Sequence, residues 1–257
     1  MFASPGAIAL QMGSVAIRWY GLLIATGFLL GTTLVHGEAI RRGLDPDKLL
    51  NAIIVAAPAA LVGARLYYVL LNWDYYAANP GKIAAVWEGG LAIHGGLITG
   101  SLATMLYCWR ARLSLPVTLD LMAPGVAIGQ SIERWGNFFN QEAFGVPTDL
   151  AWKLYIDPAY RPLHLAGYEY FHPTFLYESL WNLLVFSILW FGLRERLQDR
   201  PGALMLCYLG LYSFGRFFVE GVRIDSVMLG SFRTAQIVSL LLIVASGLSL
   251  VVIGRRK

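Results

Sequence analysis

Seven charge-poor runs divide the chain: Trp19 to Val35, Leu49 to Leu71, Leu91 to Trp109, Leu113 to Ile132, Pro173 to Leu193, Gly202 to Val219 and Thr234 to Gly254. Each is long enough to cross about 30 Å of hydrocarbon as a helix. The pattern predicts an all-α integral membrane protein, a single polytopic domain over residues 1–257 with seven transmembrane helices. An odd number of crossings puts the termini on opposite sides. Met1 to Ile17 carries no Lys or Arg, Arg18 stands just before the first run, and no small-residue cleavage site follows. The first run therefore reads as a retained helix and not as a signal peptide.

The polar connections give the orientation. Of the 20 Lys and Arg, eleven fall on one set of alternate loops, including the terminal Arg255-Arg256-Lys257, six fall on the other set, and Arg65, Arg134 and Arg216 lie within or at the ends of runs. Basic residues accumulate on the cytoplasmic side, which predicts an N-terminus outside and a cytoplasmic C-terminus. The longest outer connection, residues 137–172 between the fourth and fifth spans, exceeds a simple turn and is rich in aromatic residues. Within it, Trp152 to Ile156 has strand-forming residues with turn signals at Asp149 and Asp157-Pro158. A small extracytoplasmic head containing β-strands is one expectation for this segment; an interfacial aromatic belt is the other.

Composition agrees with a membrane chain. It is 57% hydrophobic and 14% charged, against roughly 45–50% and 25% in soluble domains. The same figures exclude disordered, collagen-like and disulfide-scaffold classes. A net charge of +4 is explained by anionic lipid and the inside-positive bias, so no nucleic-acid partner is implied. Cys108 and Cys207 both sit in apolar stretches and read as small buried hydrophobes. No internal repeat is evident.

Ionisable groups inside spans are costly and mark functional sites by default. Arg65, His94, Arg134, Glu178, Arg216 and Glu220, with Tyr20 and Asn137, all fall near the outer ends of their runs, within about 10 Å of the boundary at helical rise. Tyr212, Arg216 and Glu220 step by four and share a helix face, as do Thr174, Glu178 and Asn182. Three arginines at one depth, Arg65, Arg134 and Arg216, are suited to a phosphate, because the planar guanidinium fork matches its oxygens. His94 is the residue of the set able to take a proton near neutral pH. The carboxylates and histidines show no metal-ligand spacing.

The run Arg134-Trp135-Gly136-Asn137-Phe138-Phe139-Asn140-Gln141-Glu142-Ala143-Phe144-Gly145 resembles the signature R-x-G-N-F-x-N-x-E-x-x-G of the bacterial prolipoprotein diacylglyceryl transferases. His94-Gly95-Gly96, His172-Pro173-Thr174 with Tyr177-Glu178, the Tyr212 to Glu220 helix and Arg18-Trp19-Tyr20-Gly21 are similar to further family elements, in the family's order. The resemblance implies a seven-helix enzyme of the bacterial inner membrane with no cofactor. It would move the diacylglyceryl group of phosphatidylglycerol onto the lipobox cysteine of a preprolipoprotein signal peptide, releasing glycerol 1-phosphate. His94, Arg134 and Arg216 are then the catalytic candidates, His94 taking the thiol proton and the arginines holding the phosphate. Asn137, Glu142 and Gly145 shape the signature loop, Glu220 orients Arg216, Tyr20 and Tyr212 donate to the headgroup, and Asn140 and Glu178 complete the substrate-binding set. Glu133 departs from the family's usual small residue; a carboxylate there is placed to pair with Arg134 and compete with a phosphate.

Other classes fit less well. A lipid or anionic-solute transporter would place polar groups at the midplane of repeated halves, a retinal-type receptor would carry a lysine in the seventh span, and Ser101, seven residues from His94, has no nucleophile motif around it.

Overall fold

In chain order the computed structural model, which describes residues 1–13 and 15–255, forms β1 (Phe2–Ala3), β2 (Ile8–Met12), β3 (Val15–Arg18), α1 (Trp19–Arg41), α2 (Pro46–Leu71), a short α3 (Trp73–Ala78), α4 (Ile93–Ala111) and α5 (Leu115–Asn140). Then follow β4 (Leu154–Tyr155), β5 (Tyr170–Phe171), α6 (Thr174–Ser187, continued by a wider π turn over Ile188–Leu193), α7 (Ala203–Glu220), β6 (Met228–Leu229), β7 (Phe232–Arg233) and α8 (Thr234–Arg255). Arg256 and Lys257, which the charge count places on the cytoplasmic side, lie outside the described residues.

Among the described residues six helices are long and apolar enough to cross a membrane: α1, α2, α5, α6 with its extension, α7 and α8. Large apolar side chains are exposed along their outer faces, as with Leu240, Leu241, Val244 and Leu248 on α8. Water does not tolerate such a surface, and lipid does; the chain is a multi-pass membrane protein. α4, which holds the third predicted run, has 19 residues, but its glycines, threonines, serine and histidine keep it out of this set. The fourth predicted run ends too early: α5 does not stop at Ile132 but runs on to Asn140. Its last two turns are polar, so hydropathy loses the helix while its backbone bonds continue. The following connection therefore starts at Gln141.

The helix ends follow local chemistry. Pro46 opens α2 behind Asp45, whose carboxylate accepts from the Asp47 and Lys48 amides. α4 closes on Arg112 in the left-handed region at φ 54°. The start of α7 is capped from another helix: the buried Asp120 carboxylate accepts from Gly202 N at 2.6 Å and Met205 N at 2.8 Å.

Two compact units emerge, Met1–Leu34 with Asp120–Lys257, and Val35–Leu119. In the first, α1 and α5 approach closely through glycines; a Cβ on Gly31 would lie 3.0 Å from the Gly125 carbonyl oxygen, and one on Gly27 3.1 Å from Gly129 Cα. The segment between α5 and α6 folds on a small sheet in the order β1-β4-β5, with β1 parallel to β4 and β4 antiparallel to β5. Beneath it Phe138, Phe144, Leu154, Ile156, Phe171 and Phe175 form a core. β4 occupies only the middle of the expected Trp152 to Ile156 run. Asp157 and Gln141 bond each other twice, backbone amide to Oε1 and Nε2 to carboxylate, which fixes this segment to the C-terminal end of α5.

In the second unit α2 and α4 pack backbone to backbone. Thr99 Oγ1 donates across to the Ala59 carbonyl at 2.9 Å, and a Cβ on Gly95 would collide with the Gly63 carbonyl and Tyr67 Cβ. Gly95→Ala is therefore expected to cost about 1–3 kcal/mol by overpacking. Gly37→Ala, where a Cβ meets nothing within 4 Å, should cost nothing. Thermal unfolding in detergent compares the two, and equal midpoints would contradict the close-packing account.

Candidate active site

Helical spacing places Glu178 and Asn182 one turn apart on α6 and Tyr212, Arg216 and Glu220 in a row on α7, while the polar end of α5 supplies Arg134, Asn137 and Asn140. The structure draws these rows together around Glu178, which is 5% exposed. Its Oε1 accepts from Arg216 Nη1 at 2.9 Å and from Arg223 Nη1 at 3.0 Å. Its Oε2 faces Arg134 Nε at 2.9 Å, an ion contact that is off the hydrogen-bonding direction. Arg216 reaches Glu220 Oε2 at 2.6 Å through Nη2, again without hydrogen-bond alignment on the carboxylate side. Three guanidiniums thus converge on two buried carboxylates. Removing one partner from such a cluster is far more costly than the cluster's net contribution, because a buried charge is left uncompensated.

The signature segment wraps this cluster. Arg134 Nη1 donates to Asn137 Oδ1 at 3.3 Å, while Asn137 Nδ2 and Asn140 Nδ2 donate to Glu142 Oε1 at 3.0 and 3.1 Å. The helix turns out of α5 through Gln141 and Ala143, both with φ above 50°, and Thr174 Oγ1 holds the Ala143 carbonyl. Gly145 then bridges antiparallel to Arg223; a Cβ there would sit 2.8 Å from the Val222 carbonyl oxygen and from His172 Cβ. A side chain at 145 would push away the strand that delivers Arg223. Tyr20 lies with its ring against Gly136, where a methyl would overlap it, and Glu133, Glu142 and Arg134 are its charged neighbours.

One sequence expectation is corrected here. Arg65 is not available to a phosphate: it is buried, and its Nε, Nη1 and Nη2 donate to the carbonyls of Ile83, Gly89, Gly90 and Lys82 at 2.5–2.9 Å. It staples the connection before α4, where Gly89 and Gly90 take φ of 87° and 73°, conformations that glycine adopts without strain. Glu133 does pair with Arg134, at 3.9 Å, while Glu178 is the nearer carboxylate at 2.9 Å.

The third arginine of the cluster is Arg223, which lies just past the sixth apolar run, Gly202 to Val219. Its position three residues after Glu220, in Gly221-Val222-Arg223-Ile224-Asp225, was the available signal. Burial opposes its charge, but Asp225 and Glu178 outweigh this and hold the guanidinium above its ordinary value. Burial likewise opposes ionisation of Asp225, and the bonds from Arg223 at 2.8 and 2.6 Å overcome it, keeping the carboxyl below the usual range. Arg233 bonds the carbonyls of Glu220 and Arg223 and so pins the loop between them. Burial lowers the pKa of His172, whose Nδ1 lies 3.1 Å from the Tyr177 hydroxyl.

A small, half-open cleft, with room for about one water, lies beside the cluster, lined by Glu178, Trp181, Asn182, Tyr212, Gly215, Arg216 and Val219. Arg216 is the most open of the three arginines, with 21% of its side chain exposed against 16% for Arg134 and 10% for Arg223. His94 belongs to the other unit, where it is the second residue of α4, exposed, with its ring 6.3 Å from that of Tyr67. Among the described residues no cluster of His, Cys, Asp and Glu suited to a metal occurs. Cys108 is buried and Cys207 half-buried, and both are free thiols.

Guanidinium forks gathered at one place in a membrane-spanning unit are suited to an anion. The sequence profile of the prolipoprotein diacylglyceryl transferases matches residues 7–253. Proteins named phosphatidylglycerol–prolipoprotein diacylglyceryl transferase are 49% identical in Trichormus variabilis, over 93% of this chain and 86% of that one, and 48% identical in Gloeobacter violaceus, over 100% and 96%. A Synechocystis protein of the same name is 48% identical over 94% of this chain and 87% of its own. The chain therefore belongs to the prolipoprotein diacylglyceryl transferase family of membrane enzymes.

Proposed function

We propose that this enzyme transfers the diacylglyceryl group of phosphatidylglycerol to the thiol of a lipobox cysteine in a preprolipoprotein signal peptide, at the outer face of the bacterial inner membrane. The carrying observation is the convergence of Arg134, Arg216 and Arg223 on Glu178 beside the cleft. The sulfur attacks the glycerol carbon that bears the phosphate; the S–C bond forms, the C–O bond breaks, and glycerol 1-phosphate leaves. A phosphodiester of one negative charge becomes a monoester that carries more. Arginines held in place before the reaction stabilise that growing charge without reorganising, and Glu178 and Glu220 are what hold them. Asn137, Asn140, Glu142 and Gly145 keep the loop around Arg134 in shape, and Tyr20 and Tyr212 supply headgroup hydrogen bonds. No cofactor enters this scheme.

The nucleophile must be a thiolate, and His94 is the proton acceptor in this reading. His94→Gln should lower turnover more at pH 6.5 than at pH 9, because a thiol of pKa about 8.5 ionises unaided at the higher value. Equal losses at both pH values would make His94 structural.

For topology, α4 serves as the seventh span. Its glycines and Thr99 face α2, while Ile93, Leu97, Leu102, Met105, Leu106 and Trp109 are exposed, as a lipid-facing side requires. With seven spans and the basic loops inside, the N-terminus and residues 141–172 lie outside. The reaction is tested by mass spectrometry of a lipobox peptide incubated with the enzyme in phosphatidylglycerol liposomes. A diacylglyceryl gain on the cysteine peptide and none on its Cys-to-Ser counterpart is expected. Lipid binding without any gain would instead indicate a carrier.

A further inference from the structure

Two serines join the helices that carry Arg134 and Glu178. Ser131 on α5 and Ser179 on α6 are both buried. Ser131 Oγ donates to the Ser179 carbonyl at 2.8 Å, and Ser179 Oγ donates to the Ser131 carbonyl at 2.8 Å. The indole Nε1 of Trp135, one turn after Ser131, reaches Ser179 Oγ at 3.1 Å. An indole N–H can only donate, so Ser179 Oγ accepts there and keeps its own hydrogen for the Ser131 carbonyl.

Such a pair resists a motion that apolar packing permits. Apolar contact is non-directional, and the contacts of Phe175 with Trp135 and Phe138, with ring centroids 5.3 and 4.9 Å apart, would survive a small slide of one helix along the other. Two opposed hydrogen bonds between one pair of residues would not, because sliding in either direction lengthens at least one and parting lengthens both. The pair also adjoins the arginine cluster. Ser179 directly follows Glu178, and Ser131 lies three residues before Arg134, nearly one helical turn. The ion contact between the same two helices, Arg134 Nε to Glu178 Oε2 at 2.9 Å, runs through a long side chain and off the hydrogen-bonding direction, so it does not set the helix register by itself. Glu178 in turn holds Arg216 and Arg223, and the placement of α6 against α5 therefore reaches all three arginines.

We propose that the reciprocal bonds of Ser131 and Ser179 fix the register of α5 against α6 and make these serines positioning residues for the arginine cluster; this rests on the transferase reading above.

The test is Ser131→Ala, which removes one of the two reciprocal bonds and leaves the Trp135 bond in place, assayed with phosphatidylglycerol vesicles and a lipobox peptide. A misplacement of about 1 Å can cost about 10²-fold, and the smaller shift allowed by losing one bond should lower kcat about tenfold with KM unchanged. Because the serine acts through the contact of Arg134 with Glu178, the same change made in Arg134→Lys enzyme should cost at most about threefold, the non-additivity of residues that share one interaction. Thr118→Val, which removes a buried hydroxyl in the first turn of α5, should leave kcat unchanged. An unchanged kcat in Ser131→Ala would overturn the positioning role. So would a loss of about tenfold repeated in the Arg134→Lys enzyme, or an equal loss in Thr118→Val, either of which would mark a general loss of stability. No transfer by the wild-type enzyme would overturn the transferase reading and this role with it.

Discussion

Glu178→Gln is expected to lower turnover by about 10³-fold and to destabilise the folded protein by about 3–5 kcal/mol, the cost of breaking a buried ion cluster from one side. The glutamine is nearly isosteric, so packing is not what is lost. What disappears is the charge that Arg134, Arg216 and Arg223 share at 2.9–3.0 Å, and three guanidiniums on separate pieces of the chain would then repel one another and turn outward. The result should therefore be a loss of both stability and catalysis. Glu178→Asp, which keeps the charge but withdraws it by one methylene, should fall between. Turnover assays and unfolding in detergent check this together; near-normal turnover in Glu178→Gln would mean that the arginines are held by something else.

Arg134→Lys should retain the fold and most lipid binding but lose about 10²–10³-fold in kcat, the usual effect of removing one donor from a charge-stabilising site. Lysine restores the positive charge without the planar fork. Arg134 makes an ion contact with Glu178 through Nε and donates to Asn137 through Nη1, so its guanidinium is oriented by two neighbours at once; an ammonium can satisfy one direction and not the others. Steady-state kinetics over lipid mole fraction separate the cases. A fall in kcat with KM unchanged is the signature of an interaction made chiefly in the transition state, whereas near-wild-type kcat would remove Arg134 from the phosphate clamp.

The parts of this molecule written in short-range pattern were legible in the sequence. Hydropathy found the helices, and the four-residue steps of Tyr212, Arg216 and Glu220 and of Glu178 and Asn182 foretold which side chains share a face. Pattern failed where partners are distant. The bonds that join Glu178 to Arg216 and Arg223 span 38 and 45 residues, and no local periodicity encodes them. Arg65 illustrates the same limit, since an arginine near the end of a span looks alike whether its fork meets a phosphate or four carbonyls. The end of α5 was missed because Glu133, Arg134, Asn137 and Asn140 make it polar. The N-terminal residues, charge-free and before the first helix, gave no sign that Phe2 would pair with Leu154.

The central claim is that phosphate is the leaving group and that the arginine cluster holds it. Phosphorus NMR of the enzyme with phosphatidylglycerol vesicles and a lipobox peptide tests this most directly, since it reports the fate of the phosphate itself. The account predicts one glycerol phosphate for each peptide that gains a diacylglyceryl group, and neither product with Glu178→Gln. Lysophosphatidylglycerol in place of glycerol phosphate would contradict it, because an acyl chain would then have moved and the phosphate would never have left.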